Sequence, residues 1–311
     1  MNPDVRRAAE ILRAGGLVAF PTETVYGLGA DASNAAAVAR LYAVKRRPPN
    51  HPVIIHFAFP ESAFSFSRDV PATARELAER FWPGPLTLIL KRSSKAKDFV
   101  TGGQDSVGLR VPSHPVAQAL LREFGGGVAA PSANEFGNLS PTTAAHVRAD
   151  LAGKVELVLE GGASEVGIES TILDLSGREP VLLRPGEISR LQLEEVLNLA
   201  IQEKNSTFPR HSGGLERHYA PRTPALLIAP YALDGEIAKH RNTVAVLAFS
   251  RPDERVDYWI RMPKDARGYA QRLYAALREL DAAGCATILI ESPPDTVEWT
   301  AVRDRLSRAA G

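Results

Sequence analysis

A two-domain α/β protein, with a large twisted mixed sheet in the first domain and a small parallel Rossmann-like sheet in the second, is what this sequence predicts. Three observations carry that. Strand-length apolar runs alternate with helical patterns along nearly the whole chain. At 311 residues the chain exceeds a typical domain of roughly 100 to 200. Residues 202–224, QEKNSTFPRHSGGLERHYAPRTP, hold three prolines, two glycines and several charges without a sustained period, which reads as a linker. The expected division is residues 1–201, a linker over 202–224, and residues 225–311.

The first segment, 4–14, opens on an Asp4 cap. It repeats apolar residues at Val5, Ala8, Ile11 and Leu12 and stops at Gly15 and Gly16, an amphipathic helix with a glycine end. LVAF follows as a buried strand. A helix over 34–45, a strand near VIIHF, a helix over 72–81 and strands near LTLIL and VGLRV continue the pattern. The next helix runs from Pro115 to Phe124, then comes VAAPSAN, a strand emptying into a loop. ELVLE, STILDL and VLLR are further short strands, closing the domain near residue 200. Beyond the linker come ALLIA, a helix near 234–240, TVAVLAF, a helix over 266–283, ATILIE and a final helix. This strict alternation predicts a parallel sheet.

Composition narrows the function classes. A hydrophobic fraction of 44% and a charged fraction of 23% are those of an ordinary globular protein. Net charge is only +1, without the strong basicity of a protein that grips nucleic acid by phosphate neutralisation. Such a balance favours a small anionic ligand in a local basic pocket. The one cysteine, Cys285, lies in the apolar run AAGCATILI, reads as core, and allows neither an internal disulfide nor a multi-cysteine zinc site. MNPDVRRAAEILRAGG carries no continuous apolar stretch, so neither signal peptide nor membrane anchor is expected, and a reducing cytoplasm is the expected location.

Three segments carry candidate chemistry. No GxxxxGK[ST] loop is present, and no GxGxxG opens a helix after a strand; Gly125, Gly126 and Gly127 precede a strand and read as a tight turn. PTETVYGLGAD, 21–31, follows a strand with Thr22, Thr24, Tyr26, Gly27 and Gly29, so amides and hydroxyls fall at a sheet edge where α/β ligand sites lie. A plain strand-to-helix loop is the alternative reading. In KRRPPNHPVIIH, Lys45 and Arg47 follow a helix and Pro48 holds the chain extended, which presents cations at a fixed edge. A helix-end cap is the bland reading there. Fixed cations suit phosphates, the arginine forking onto two oxygens and the lysine acting as a point charge. His56 closes the next strand, where a packed core histidine is the commoner case. PSANEFGNLSPT, 131–142, supplies Ser132, Asn134 and Ser140 as uncharged donors and acceptors, or as the side chains of local turns.

Together these segments resemble the YrdC family, marked by PTxTxYGLG, then KxRP, then SAN with SPT shortly after, all present here in that order. The likeness continues through Arg110 in VGLRVPSHP, Ser170 in ESTILD and Arg184 in LLRPGEI. RHYAPRTP is similar to the linker of the two-domain members, although that linker usually opens on Ser-Pro-Gly and here reads HSGG at 211–214. The resemblance implies a YrdC-like first domain and an enzyme that joins L-threonine, bicarbonate (or carbon dioxide) and ATP into threonylcarbamoyl-AMP and pyrophosphate. A transferase complex then uses the product to modify tRNA beside the anticodon.

The resemblance also implies roles. Lys45 and Arg47 fall to the phosphates, with Mg²⁺ sharing that charge. Ser132, Asn134, Ser140 and Arg184 fall to ATP. Thr22, His56, Arg110 and Ser170 fall to threonine and carboxylate, with Tyr26 as a pocket wall. His218 and Tyr219 are candidates to close over the nucleotide from the linker. No resident metal and no tightly bound cofactor are expected, and any direct tRNA contact is expected to be weak. Two other readings stay open. YrdC-like carbamoyl-adenylate enzymes are much longer and carry cysteine-rich zinc fingers, against which the single cysteine counts. An RNA-binding module would show a steep salt dependence of affinity.

Overall fold

The computed structural model describes residues 3–203, 210–211, 218–240, 244–256 and 258–310. Ten strands build the sheet of the first domain: Val18–Phe20 (β1), Gly27–Asp31 (β2), Ile54–His56 (β3), Leu86–Lys91 (β4), Ser106–Arg110 (β5), Val128–Ala129 (β6), Leu157–Val158 (β7), Thr171–Asp174 (β8), Val181–Arg184 (β9) and Gln202–Glu203 (β10). Their order is β10-β9-β8-β4-β5-β3-β6-β2-β1-β7. Parallel pairs (β1 with β7, β3 with β5, β4 with β8, β9 with β10) mix with antiparallel ones, which makes this the expected mixed sheet.

Helices Pro3–Arg13 (α1), Ala35–Lys45 (α2), Pro60–Phe64 (α3), Ala72–Phe81 (α4), Asp98–Thr101 (α5), Pro115–Phe124 (α6), Ala144–Leu151 (α7) and Arg190–Leu197 (α8) accompany the sheet. Local signals set their ends. The side chain of Asn34 accepts from the amides of Ala36 and Ala37 at the start of α2, while α6 opens on Pro115 and closes on Gly125 at φ +77. Gly125 thus belongs to a turn, as its glycine run suggests.

Several elements differ from the sequence reading. PTETVYGLGAD does not lead from strand to helix. It turns back on itself, and β2 pairs antiparallel with β1 through Phe20↔Gly27 and Val18↔Gly29. Both glycines of that strand lie against Phe20, and a Cβ on Gly29 would come 2.9 Å from the Phe20 ring, so close packing under an aromatic hides the strand from a propensity reading. VAAPSAN forms only two residues of strand before its loop. The sheet continues to β10, inside the stretch read as linker.

The second domain is a four-stranded, wholly parallel sheet in the order β11-β14-β12-β13, built from Ala225–Ile228 (β11), Val244–Ala248 (β12), Tyr258–Arg261 (β13) and Thr287–Glu291 (β14). Leu233–Lys239 (α9), Ala266–Asp281 (α10) and Thr300–Ala310 (α11) pack with it. Alternation is not strict: β12 and β13 are joined without an intervening helix among the described residues. Cys285 is half-buried at the margin of the core. No described helix is long and apolar enough to cross a membrane.

One apolar cluster spans both domains, taking Val25, Leu139, Val166 and Ile168 from the first and Ala270, Tyr274 and Val302 from the second. Arg278 of α10 adds paired hydrogen bonds to both oxygens of Asp150 at 2.9 and 2.6 Å. The α10 backbone passes tightly over Gly167, at φ +79, where a Cβ would lie 2.4 Å from the Cα of Gln271. Gly167→Ala is therefore expected to cost roughly 3 kcal/mol, combining left-handed strain with overlap at the interface. Gly125→Ala, at a similar φ but with open space around it, should cost about 1 kcal/mol. Urea unfolding of both variants checks this, and equal losses would remove the interface from the explanation.

Candidate active site

Neighbouring strand ends converge on one pocket. The parallel pair β3 and β5 sets His56 beside Arg110. Ser132 follows β6, bridged to Gly27. Ser170 precedes β8, and Arg184 ends the antiparallel β9. Thr22 and Thr24 come from the β1–β2 connection, and Arg47 from just beyond α2, where Arg46 takes a left-handed turn at φ 53. His218 and Tyr219 arrive from the end of the linker, Tyr219 at φ 62. All of these line a single cavity, together with Glu169. The structure thus brings together Thr22, Arg47, His56, Arg110, Ser132, Ser170, Arg184, His218 and Tyr219.

Each guanidinium is held in place. Arg110 Nη2 meets Glu23 Oε1 at 2.7 Å, both side chains buried, and its Nη1 donates to Thr24 Oγ1 at 3.0 Å. Arg184 donates from Nε to the Ser170 carbonyl at 2.9 Å, from Nη2 to Ser170 Oγ at 3.1 Å and from Nη1 to Tyr219 Oη at 3.3 Å. Arg47 donates to the Pro52 carbonyl at 2.7 Å and lies over the Phe136 ring at 5.2 Å. Phe136 in turn packs edge-on against His218 at 5.4 Å.

Four expected site residues lie behind the lining. Lys45 is fully buried, and its Nζ donates to the carbonyls of Ser132 and Asn134, so it clips the PSAN loop from beneath. Burial and the nearby Arg47 lower its pKa well below the lysine range. Asn134 Nδ2 donates to the carbonyls of Glu135 and Asn138, which shapes the loop. Ser140 Oγ donates to Glu169 Oε1 at 2.5 Å. Tyr26 is not a wall of the cavity. Its hydroxyl donates to the Gly162 carbonyl at 2.8 Å, and its backbone joins the loops at Ala133 and Pro141. The HSGG step lies, apart from His211, outside the described residues.

Sequence reasoning missed Glu23, Phe136 and Glu169. The two glutamates stand inside segments already singled out, PTETVYGLGAD and ESTILD, where the cations and hydroxyls beside them carry the more evident chemistry. Arg305 and Tyr274, which reach Glu169 from the second domain, carried no sequence signal.

Buried, positively charged surroundings hold the histidines neutral. Burial, reinforced by Arg110, lowers the His56 pKa to about 3. Burial, reinforced by Arg47, Lys45 and Arg184 and opposed by Glu169, lowers that of His218 to about 3. Neither ring nitrogen of His218 has a hydrogen-bond partner among the described residues. Among the described residues the lining combines three arginines, the Glu169 carboxylate and neutral hydrogen-bonding groups without a nucleophile–base pair, an excess of positive charge suited to binding and polarising a small polyanion.

Fold and pocket together define a two-domain α/β protein with an arginine-lined cavity that takes His218 and Tyr219 from the segment leading into the second domain. The family model Sua5_yciO_yrdC, described as telomere recombination, matches residues 10–186, and that described as threonylcarbamoyl-AMP synthase, C-terminal domain, matches residues 188–311. The threonylcarbamoyl-AMP synthase of Pyrococcus abyssi is 38% identical over 99% of this chain and 94% of its own. That of Bacillus subtilis is 38% identical over 100% of this chain and 94% of its own. The crystal structure of P. abyssi Sua5 complexed with L-threonine superposes with a TM-score of 0.92 at 37% identity, covering 98% of this chain and 94% of that one. The chain belongs to the Sua5/YrdC family in its two-domain form.

Two measurements follow. The folded state keeps His56 and His218 neutral while the unfolded chain protonates them near 6.5. Their contribution is therefore complete above pH 6.5 and is lost as pH falls towards 3. Lowering pH from 7 to 5 should cost about 2 kcal/mol per histidine. His56→Gln and His218→Gln should each flatten the dependence seen in urea melts, and an unaltered slope would contradict the assignment. Lys45→Ala, which orphans two carbonyls, is expected to lower stability by about 2 kcal/mol as well as to weaken ATP use. A variant as stable as the parent would show that the clip is dispensable.

Proposed function

We infer that the chain is a threonylcarbamoyl-AMP synthase, an enzyme that uses ATP to form an adenylate. The observation that carries this is the pocket itself: three arginines, neutral histidines and hydroxyls meet in one cavity that takes its last residues from the linker. In the proposed reaction the amine of L-threonine adds to carbon dioxide with loss of a proton, or condenses with bicarbonate with loss of water. The resulting N-carboxylate attacks the α-phosphate of ATP, forming a carboxylate–phosphate C–O–P linkage as the bond to the β-phosphate breaks and pyrophosphate leaves. The attacking oxygen belongs to the substrate, so the protein needs no nucleophile. Its contribution is position and charge.

Arg110, held by Glu23, is placed to receive a carboxylate, with Thr22, His56 and Ser170 around it. Arg47 and Arg184 face the phosphates, and Lys45 supports them through the carbonyls of Ser132 and Asn134. Ser140 acts on the nucleotide side through Glu169. His218 and Tyr219 close the pocket against water, protecting the mixed anhydride. Mg²⁺ would enter with ATP and share the charge of its phosphates. In line with the family resemblance, the product would pass to a transferase that modifies tRNA adenosine beside the anticodon, in the cytoplasm.

Purified protein given MgATP should release pyrophosphate only when both L-threonine and bicarbonate are present. Release independent of threonine would reject the reading and favour carbamoyl-adenylate chemistry.

A further inference from the structure

We propose that Arg305, on the last helix of the second domain, is a positioning residue for the nucleotide side of the pocket: it holds the Glu169 carboxylate away from Arg184 and supports the ring of Tyr219. The identity of the nucleotide, ATP, rests on the functional reading above; the geometry does not.

Arg305 is wholly buried, the largest side chain among the described residues to be so. Its Nε donates to Glu169 Oε2 at 2.8 Å, and its Nη2 donates to the carbonyls of Glu169 and Pro185 at 3.2 and 3.0 Å. Nη1 pairs with Asp304 at 2.5 Å. The guanidinium lies 5.4 Å from the centre of the Tyr219 ring. Tyr274 donates to Glu169 Oε2 at 2.9 Å, while Ser140 holds Oε1 from the first domain. Glu169 and Tyr219 both line the pocket, so a residue of the second domain sets two of its walls.

The carboxylate has a second suitor. Burial raises the pKa of Glu169, but attraction to Arg305 first and Arg184 second, with the bonds from Ser140 and Arg305, brings it below the usual carboxylate value. The group is therefore an anion beside two cations. One of those cations, Arg184, lines the pocket and is linked to Tyr219 Oη. Were Arg305 absent, Glu169 would turn its charge on Arg184, and a phosphate would have to compete for that guanidinium. A buried ion pair adds little net stability, because desolvation offsets most of the attraction. Control of where a charge points is the effect this arrangement delivers.

The test is calorimetric titration of the full-length protein with MgATP and, separately, with L-threonine. Arg305→Met keeps the bulk and removes the charge. ATP binding is expected to weaken about tenfold, with stoichiometry near one and threonine affinity within about twofold. Adding Glu169→Gln removes the released anion, and ATP affinity should return to within about threefold of the parent. A purely structural role predicts a different pattern, a lower stoichiometry at unchanged affinity, and that result overturns the proposal. So does a double variant that fails to recover. If Arg305→Met does not fold, Tyr274→Phe, which removes one hydrogen bond from Glu169 and no charge, should weaken ATP binding about threefold, and unchanged affinity there overturns the proposal equally. Failure of the parent protein to bind ATP would instead overturn the functional reading.

Discussion

Positive charge gathered in a buried pocket is the constraint on which the rest of this structure depends. Arg47, Arg110 and Arg184 line one cavity, with Lys45 just beneath it. Like charges in a poorly solvated space repel, and an uncompensated buried charge is costly. The fold answers with different partners for each. Arg110 has a carboxylate, Glu23; Arg184 has a carbonyl and two hydroxyls; Arg47 has carbonyls and an aromatic face; Lys45 has two carbonyls of the loop above it. Arg47 and Lys45 are held by backbone oxygens and, for Arg47, an aromatic face, while Glu23 and Glu169 offset part of the charge of Arg110 and Arg184, which leaves a net positive field for an anionic ligand.

Those partners come from distant parts of the chain, and supplying them welds the loops together. Tyr26 joins the β1–β2 connection to both the 131–134 and 140–142 stretches, and Val166 bonds back to Glu23. Backbone hydrogen bonds of this kind must be satisfied somewhere in a buried segment. Here several of them are satisfied between motifs, as in Tyr26 to Pro141, Ala133 to Tyr26 and Phe136 to Lys45. Small displacements of one loop therefore reach the others, which suits chemistry that depends on alignment rather than on a protein nucleophile.

The second domain belongs to the same system. Its parallel sheet is an independent unit, yet α10 and α11 bury apolar side chains against Val166 and Ile168 and send Tyr274 and Arg305 to Glu169. Gly167, between those two apolar residues, has no side chain because the α10 backbone passes directly over it. The residues that close the pocket, His218 and Tyr219, sit where linker, first domain and α11 meet, the His218 amide donating to the Arg308 carbonyl.

Periodicity and capping were enough to place most helices and strands, since those signals are local: α4, α6 and β9 match their predicted spans. Of the residues the motifs single out, nine line one cavity. Tertiary structure decided the remainder. Gly27–Asp31 became a strand because Phe20 packs over its glycines, and Lys45 became a support because its amine meets two carbonyls 87 and 89 residues away. The counter-charges were decided last. Glu23 finds Arg110 across 87 residues and Glu169 finds Arg305 across 136, and no local pattern announces such a pair. Residue types and their spacing determine what chemistry a segment can offer; which charge faces the ligand and which faces a partner is settled only when folding brings distant chains within a few ångströms and excludes the water that would otherwise screen them.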